Sequence, residues 1–198
     1  MSKSRVKGII FDLDGTLVTS SIDFSALKQK IGCPSDQDIL AYIAEIEETK
    51  KQEAALSLVM RMEFEDALTS ECIPGVQAFL DKLKANNIPM AIVTRNCRVA
   101  TSVKINNHNI PIKLVLTRED APYKPNPDAL NIIAEYWGFE SEEVAYVGDY
   151  IYDIEAANRA NMKAWAYQYQ VPEGIGLQVD LSFTCFTELD ISELIHSP

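Results

Sequence analysis

Two aspartates separated by one residue, Asp12 and Asp14, follow a short apolar run in the stretch Val6-Lys7-Gly8-Ile9-Ile10-Phe11-Asp12-Leu13-Asp14-Gly15-Thr16-Leu17. The run has the length and composition of a buried strand. Both carboxylates therefore leave a strand end together, and Gly15 permits the sharp turn that follows. Carboxylates grouped in this way repel one another unless a metal or a substrate cation neutralises them. Alone, the pair fits a solvated turn equally well; its weight comes from what lies downstream. Pro89-Met90-Ala91-Ile92-Val93 is a second apolar run, and it delivers Thr94-Arg95-Asn96. Ala121-Pro122-Tyr123-Lys124-Pro125-Asn126-Pro127-Asp128 sets one lysine in a proline-stiffened loop. Val144-Ala145-Tyr146-Val147 ends in Gly148-Asp149-Tyr150-Ile151-Tyr152-Asp153. Aspartates, a hydroxyl and a lysine thus all fall just past expected strand ends, the edge at which ligands bind in an open α/β sheet.

The elements that must position these residues alternate between strand-like runs and amphipathic helical patterns, the signature of a parallel α/β sheet. After Pro74-Gly75, the residues Val76, Phe79, Leu80 and Leu83 mark one helix face. Leu130, Ile133 and Trp137 mark another, which Gly138 closes. Lys163-Ala164-Trp165-Ala166 reads as a further strand, and residues 188–195 as a last short helix capped by Thr187. Residues 23–72 differ. They hold no convincing strand; Ile39, Ile43 and Ile46, then Leu58, Val59 and Met62, recur at helical spacing between charged residues. Two or three helices forming a small separate layer are expected there, either as a lid on the site or as a plain hairpin packed on the sheet.

A length of 198 residues suits one domain with an insertion, or two small domains. With 18 basic against 29 acidic residues the net charge is −11, and no Lys/Arg run offers a surface for tracking nucleic acid. A small phosphate substrate is not excluded, because a metal and one or two local cations reverse the field inside a cleft. Cys33, Cys72, Cys97 and Cys185 are scattered without a Cys-x-x-Cys pair. Zinc or a disulfide framework is therefore not expected. Cys97 lies beside Thr94-Arg95-Asn96, yet neither His108 nor His196 is set to pair with it, so an inert thiol is expected. With no signal-peptide pattern and no apolar run of about 20 residues, the chain reads as cytoplasmic, with no membrane partner. No motif speaks to oligomeric state.

In sequence order, the four segments resemble the four motifs of the haloacid dehalogenase-like hydrolase superfamily, and within it the phosphoglycolate-phosphatase-like branch. The resemblance spans residues 6–165, and its specific part is Asp12-Leu13-Asp14-Gly15-Thr16-Leu17 combined with Gly148-Asp149-Tyr150-Ile151-Tyr152-Asp153. It implies an α/β fold: a Rossmann-like parallel sheet with helices on both faces, plus a small helical cap inserted after the first strand. The core would comprise residues 1–22 and 73–198, and the cap residues 23–72.

The resemblance also implies phosphate-ester chemistry, which these side chains suit. Asp12 is the expected nucleophile, forming an aspartyl-phosphate and splitting one hard step into two. Asp14 is the expected acid–base residue; dehalogenases of the superfamily generally lack this second aspartate, so its presence favours phosphoryl transfer. Attack of an anion on an anion calls for a hard divalent cation. Mg²⁺ suits an oxygen-only set, with Asp12, Asp149 and the main-chain carbonyl of Asp14 as ligands and Asp153 holding a metal-bound water. Thr94, Lys124 and the main-chain N–H groups at Arg95 and Asn96 are the expected phosphate binders. The Arg95 side chain either reaches the substrate or faces solvent. Three functions fit: a Mg²⁺-dependent phosphatase of a small phosphorylated metabolite, a phosphomutase using the same residues, or a non-catalytic phosphate-ligand binding protein. Phosphoglycolate, sugar phosphates and nucleoside monophosphates all present the same phosphoryl group.

Overall fold

The structure, a computed structural model, describes residues 6–172 and 174–195; His196 lies outside them. Six strands form one parallel sheet in the order β3-β2-β1-β4-β5-β6: β1 (Gly8–Phe11), β2 (Met90–Val93), β3 (Leu114–Leu116), β4 (Val144–Gly148), β5 (Lys163–Tyr167) and β6 (Leu181–Phe183). β1 pairs with β2 on one side and with β4 on the other, so the chain order reverses beside β1. At such a switch point the loops leaving neighbouring strands splay apart and open a crevice. Asp12 follows β1 there, and Asp149 follows β4.

Alternation along the strands builds two cores, because successive side chains point to opposite faces. Ile9, Phe11, Ala145, Val147, Trp165 and Tyr167 face one layer with Val76, Phe79, Leu80 and Leu83 of α4 (Val76–Ala85). Ile10, Ala91, Val93, Tyr146, Ala164 and Ala166 face the other. There they meet Leu130 and Ile133 of α6 (Asp128–Trp137), and Ile154, Ala156 and Ala157 of α7 (Ile151–Arg159). Each fully buried Ile, Leu or Phe contributes roughly 1.5–3 kcal/mol of transfer free energy. The sheet and its helical layers are the α/β architecture expected.

Between β1 and β2 the chain inserts α1 (Phe24–Ile31), α2 (Ile39–Ala44) and α3 (Thr49–Thr69) before α4. Leu27, Ile39, Leu40, Ile43, Ala55 and Val59 form a separate small core, so this is a helical cap with its own apolar centre. The C-terminal half of α3 instead packs through Ala67 against Cys97 and Ala100, at the start of α5 (Arg98–Asn107). Where the insertion leaves and rejoins the sheet, the two crossing segments pair. Thr19 N–H donates to the Glu71 carbonyl, and Ile73 N–H to that of Leu17.

Two expectations need correction. The last helix, α8, covers only Ile191–Leu194, and Asp190 caps it rather than Thr187, which sits in a tight turn over Phe186–Glu188. Val6 lies outside β1 and forms an isolated bridge with Ile195. Among the described residues, no helix is long and apolar enough to cross a membrane.

Candidate active site

Four of the expected site residues converge at the switch point. Asp12, Asp149 and Asp153 each offer a carboxylate oxygen, and these oxygens lie within 4.8 Å of one another. The glycines beside them make the approach possible. A Cβ on Gly15, whose φ is +75°, would collide with the Asp149 carboxylate, and one on Gly148 would collide with Asp153. The Lys124 ammonium is buried between Asp12 Oδ1 at 2.8 Å and Asp153 Oδ1 at 2.6 Å. Asp153 stands in the first turn of α7, where its other oxygen accepts the Tyr150 N–H at 3.0 Å, a favourable place for an anion. The Tyr146 hydroxyl lies 3.0 Å from Asp153 Oδ1, and the Thr16 hydroxyl donates to Asp149 Oδ1 at 2.8 Å. Neither Thr16 nor Tyr146 was singled out from sequence as part of the site.

Asp14 has different neighbours. Its Oδ2 accepts from Asn96 Nδ2 at 2.8 Å, and its Oδ1 from Lys104 Nζ at 2.5 Å. Asn96 N–H in turn donates to Thr94 Oγ1 at 3.2 Å. Asp14 therefore has partners separate from those of the Asp12 cluster, supplied by the β2 loop and α5.

Asp12, Asp14, Thr94, Arg95, Asn96, Lys124, Asp149 and Asp153 all line one cavity of about 420 Å³. The remaining wall comes largely from the cap and its entry: Ile22, Phe24, Lys28, Asp38, Ile39, Leu40 and Val59. Arg95 does not simply face solvent. Its guanidinium lies over the rings of Tyr123 and Tyr152, 4.9 and 4.6 Å from their centres. It donates to the Lys124 carbonyl at 2.9 Å and pairs with Asp38 at 2.5 Å. Asp38 also caps α2, so this ion pair joins the cap to the β2 loop directly over the site. Cys97 is buried, and burial chiefly pushes its thiol up, with Glu63 adding to this and Arg118 opposing it, as an inert thiol should be.

The electrostatics follow from the geometry. Burial pushes the Asp12 carboxyl well above the usual range; Lys124 opposes this, while Asp153 and Asp149 add to it. Burial and the charge of Asp153 raise Asp149 to about 6. Burial alone would lower Lys124, but Asp12 and Asp153 hold it above its ordinary value. Three carboxylates thus share one ammonium and leave an excess of negative charge. An all-oxygen donor set with surplus negative charge in a small space fits a hard divalent cation such as Mg²⁺, and fits no softer metal as well.

Comparison with known proteins agrees with this architecture. Residues 19–167 match the haloacid dehalogenase-like hydrolase family. A haloacid dehalogenase-like hydrolase domain-containing protein of Arabidopsis thaliana is 32% identical over 169 residues, covering 80% of this chain and 69% of that protein. Phosphoglycolate phosphatase 1 of Pseudomonas aeruginosa is 28% identical over 195 residues, covering 84% of this chain and 71% of that one. The crystal structure of a hydrolase from Pseudomonas syringae superposes with a TM-score of 0.78 at 19% identity, over 96% of this chain and 100% of that one. The chain belongs to the haloacid dehalogenase-like hydrolase family.

Proposed function

We propose that this protein is a Mg²⁺-dependent phosphatase that hydrolyses a small phosphorylated metabolite through an aspartyl-phosphate on Asp12. One observation carries the reading: a buried carboxylate beside a buried ammonium, and a second carboxylate held separately two residues on, line the same cavity. Asp12 attacks phosphorus as the bond to the leaving oxygen breaks, and Asp14 gives that oxygen its proton. Asp14, now a carboxylate, then takes a proton from water as the water oxygen attacks phosphorus. The Asp12–phosphorus linkage breaks and phosphate departs. Burial holds the Asp14 carboxyl above its usual range against the opposing pull of Lys104 and Asn96, which supports a proton-carrying role. The Thr94 hydroxyl and Lys124 ammonium hold the phosphoryl oxygens. Asp12, Asp149 and the Asp14 carbonyl, supported by Asp153, would hold Mg²⁺, which when bound would supply the positive charge that lets one anion approach another.

In this reading residues 1–22 and 73–198 form the catalytic core, and residues 23–72 form a cap that reads the rest of the substrate. Ile22 at the cap entry and the apolar cap residues Phe24, Ile39, Leu40 and Val59 face the polar floor, which suits a leaving group of modest polarity. The name of the Pseudomonas aeruginosa relative favours a phosphate monoester. A phosphate-release screen over phosphorylated metabolites tests the proposal. We expect release of free phosphate with Mg²⁺, loss of turnover in EDTA, recovery on adding Mg²⁺ and inhibition by Ca²⁺, whose looser shell misplaces the nucleophile. Full activity after exhaustive chelation, or isomerised product without free phosphate, contradicts it.

A further inference from the structure

Lys104 is a lysine with no exposed side-chain surface, carried on α5 at the position one turn after the buried Ala100. Its ammonium has two anionic partners. Asp14 Oδ1 lies at 2.5 Å, and Asp66 Oδ2 on α3 at 2.6 Å. Asp66 is held in turn: its Oδ1 accepts the Ser21 N–H at 2.6 Å and the Ser21 hydroxyl at 3.0 Å. Ser21 belongs to the segment that leads from the Asp14 turn into the cap. A closed chain of contacts therefore runs from the cavity wall through α5 to α3 and back to the cap entry.

If stability alone were at stake, an apolar residue on this stripe of α5 would serve at least as well, because desolvating an ion pair commonly offsets its attraction. What the lysine adds is direction. Asp14 is about one-fifth exposed, and both of its oxygens are gripped, one by Lys104 and the other by Asn96. Two donors from different elements fix the plane of the carboxyl group. Each oxygen keeps lone-pair capacity on the cavity side, since a carboxylate accepts about four hydrogen bonds.

We propose that Lys104 is a positioning residue for proton transfer: it fixes the Asp14 carboxyl in the orientation that meets the leaving oxygen, with Asp66 holding the lysine in place. This inference rests on the phosphatase reading. During the first step the proton moves from the Asp14 carboxyl to the leaving oxygen, while the Asp12–phosphorus bond forms and the bond from phosphorus to that oxygen breaks. Lys104 keeps its protons throughout.

Leaving groups that need protonation separate positioning from plain packing. The measurement is kcat/KM, which reports events up to departure of the leaving group, for phenyl phosphate and p-nitrophenyl phosphate with Mg²⁺. The variants are the double substitution Lys104→Met with Asp66→Asn, which removes the buried cation without stranding the buried Asp66 carboxylate, and Asp66→Asn alone, a near-isosteric change that removes the charge holding the lysine. For the double variant we expect a fall of about 10²-fold on phenyl phosphate and of less than about tenfold on p-nitrophenyl phosphate, whose leaving group needs little protonation. Asp66→Asn should shift the ratio in the same sense by a smaller factor. Equal falls on both substrates, or an unchanged ratio in Asp66→Asn where the double variant does not fold, overturn the proposal. If the wild-type protein hydrolyses neither ester with Mg²⁺, it is the phosphatase reading that fails.

Discussion

Asp12 and Asp14 have the same side chain two residues apart, and their different surroundings suit the different roles proposed for them. Asp12 shares Lys124 with Asp153 and lies within ligand distance of Asp149, whereas Asp14 meets neutral Asn96 and the Lys104 ammonium. The crowding of the first group has a measurable consequence. Asp149 titrates at about 6 in the fold, above an ordinary carboxyl near 3.9, so the native state holds its proton more tightly than the unfolded chain. That stabilisation is present at low pH and is lost as pH rises from about 4 through about 6 in the metal-free protein. Mg²⁺ requires the carboxylate form. The rise in Tm on adding Mg²⁺ should therefore grow between about pH 5 and pH 7; a metal-induced rise that is flat across this interval contradicts the assignment. The four motifs made these residues legible in the sequence: Asp12, Asp14, Thr94, Asp149 and Asp153 because each follows a strong apolar run, and Lys124 because prolines stiffen its loop. Lys104 and Asp66 follow none. The available hint was a lysine one helical turn from Ala100, where the pattern of α5 wants an apolar residue, and only the packing of α3 on α5 reveals its partners.

Among the elements, α3 has the most demanding position, because it belongs to the cap at one end and to the core at the other. Besides Asp66, it carries Glu63, which pairs with Arg118 at 2.5 Å in a nearly dry setting and accepts the Cys97 N–H at 3.0 Å. Arg118 also donates to the Arg95 carbonyl at 2.7 Å, so α3 braces the loop that presents Thr94. Removing one member of such a pair strands a buried charge. Glu63→Ala should lower unfolding stability by about 3 kcal/mol in urea titrations. The Arg95–Asp38 pair is more exposed, and Asp38→Ala should cost less than about 1 kcal/mol once the lost cap of α2 is set aside. Its effect should fall on selectivity instead, flattening kcat/KM across phosphorylated metabolites, because the contact between cap and site is lost. A large stability loss in Asp38→Ala with unchanged substrate ranking reverses the two roles. β1, β2, β4 and β5 were readable as apolar runs buried on both faces. β3 and β6 were not: each has three residues, and Leu114-Val115-Leu116 and Leu181-Ser182-Phe183 lie at the sheet edges, where partial exposure erases the pattern.

At the scale of the whole molecule, the fold solves a problem of charge. A chain with a net charge of −11 gathers carboxylates at one crevice and opposes them with buried ammonium groups delivered by α5 and by the loop that follows β3. The strand order places the Asp12 and Asp149 loops side by side, and the insertion after β1 roofs the same crevice with apolar surface. Sequence alone could place the roof, because a helical stretch interrupted the alternation of strands and helices. It could not show that α3 is pinned to the core, since that depends on pairs 38 and 55 residues apart. The central claim is that phosphate leaves the substrate by way of Asp12, and Asp12→Asn tests it most directly. The amide is nearly isosteric but a very poor nucleophile toward phosphorus, and it relieves rather than adds crowding beside Asp149 and Asp153. Phosphate release measured with saturating Mg²⁺ on the best substrate, for wild type and for a folded Asp12→Asn variant, should show turnover in the first and none detectable in the second. Activity in the variant within tenfold of wild type contradicts the covalent mechanism.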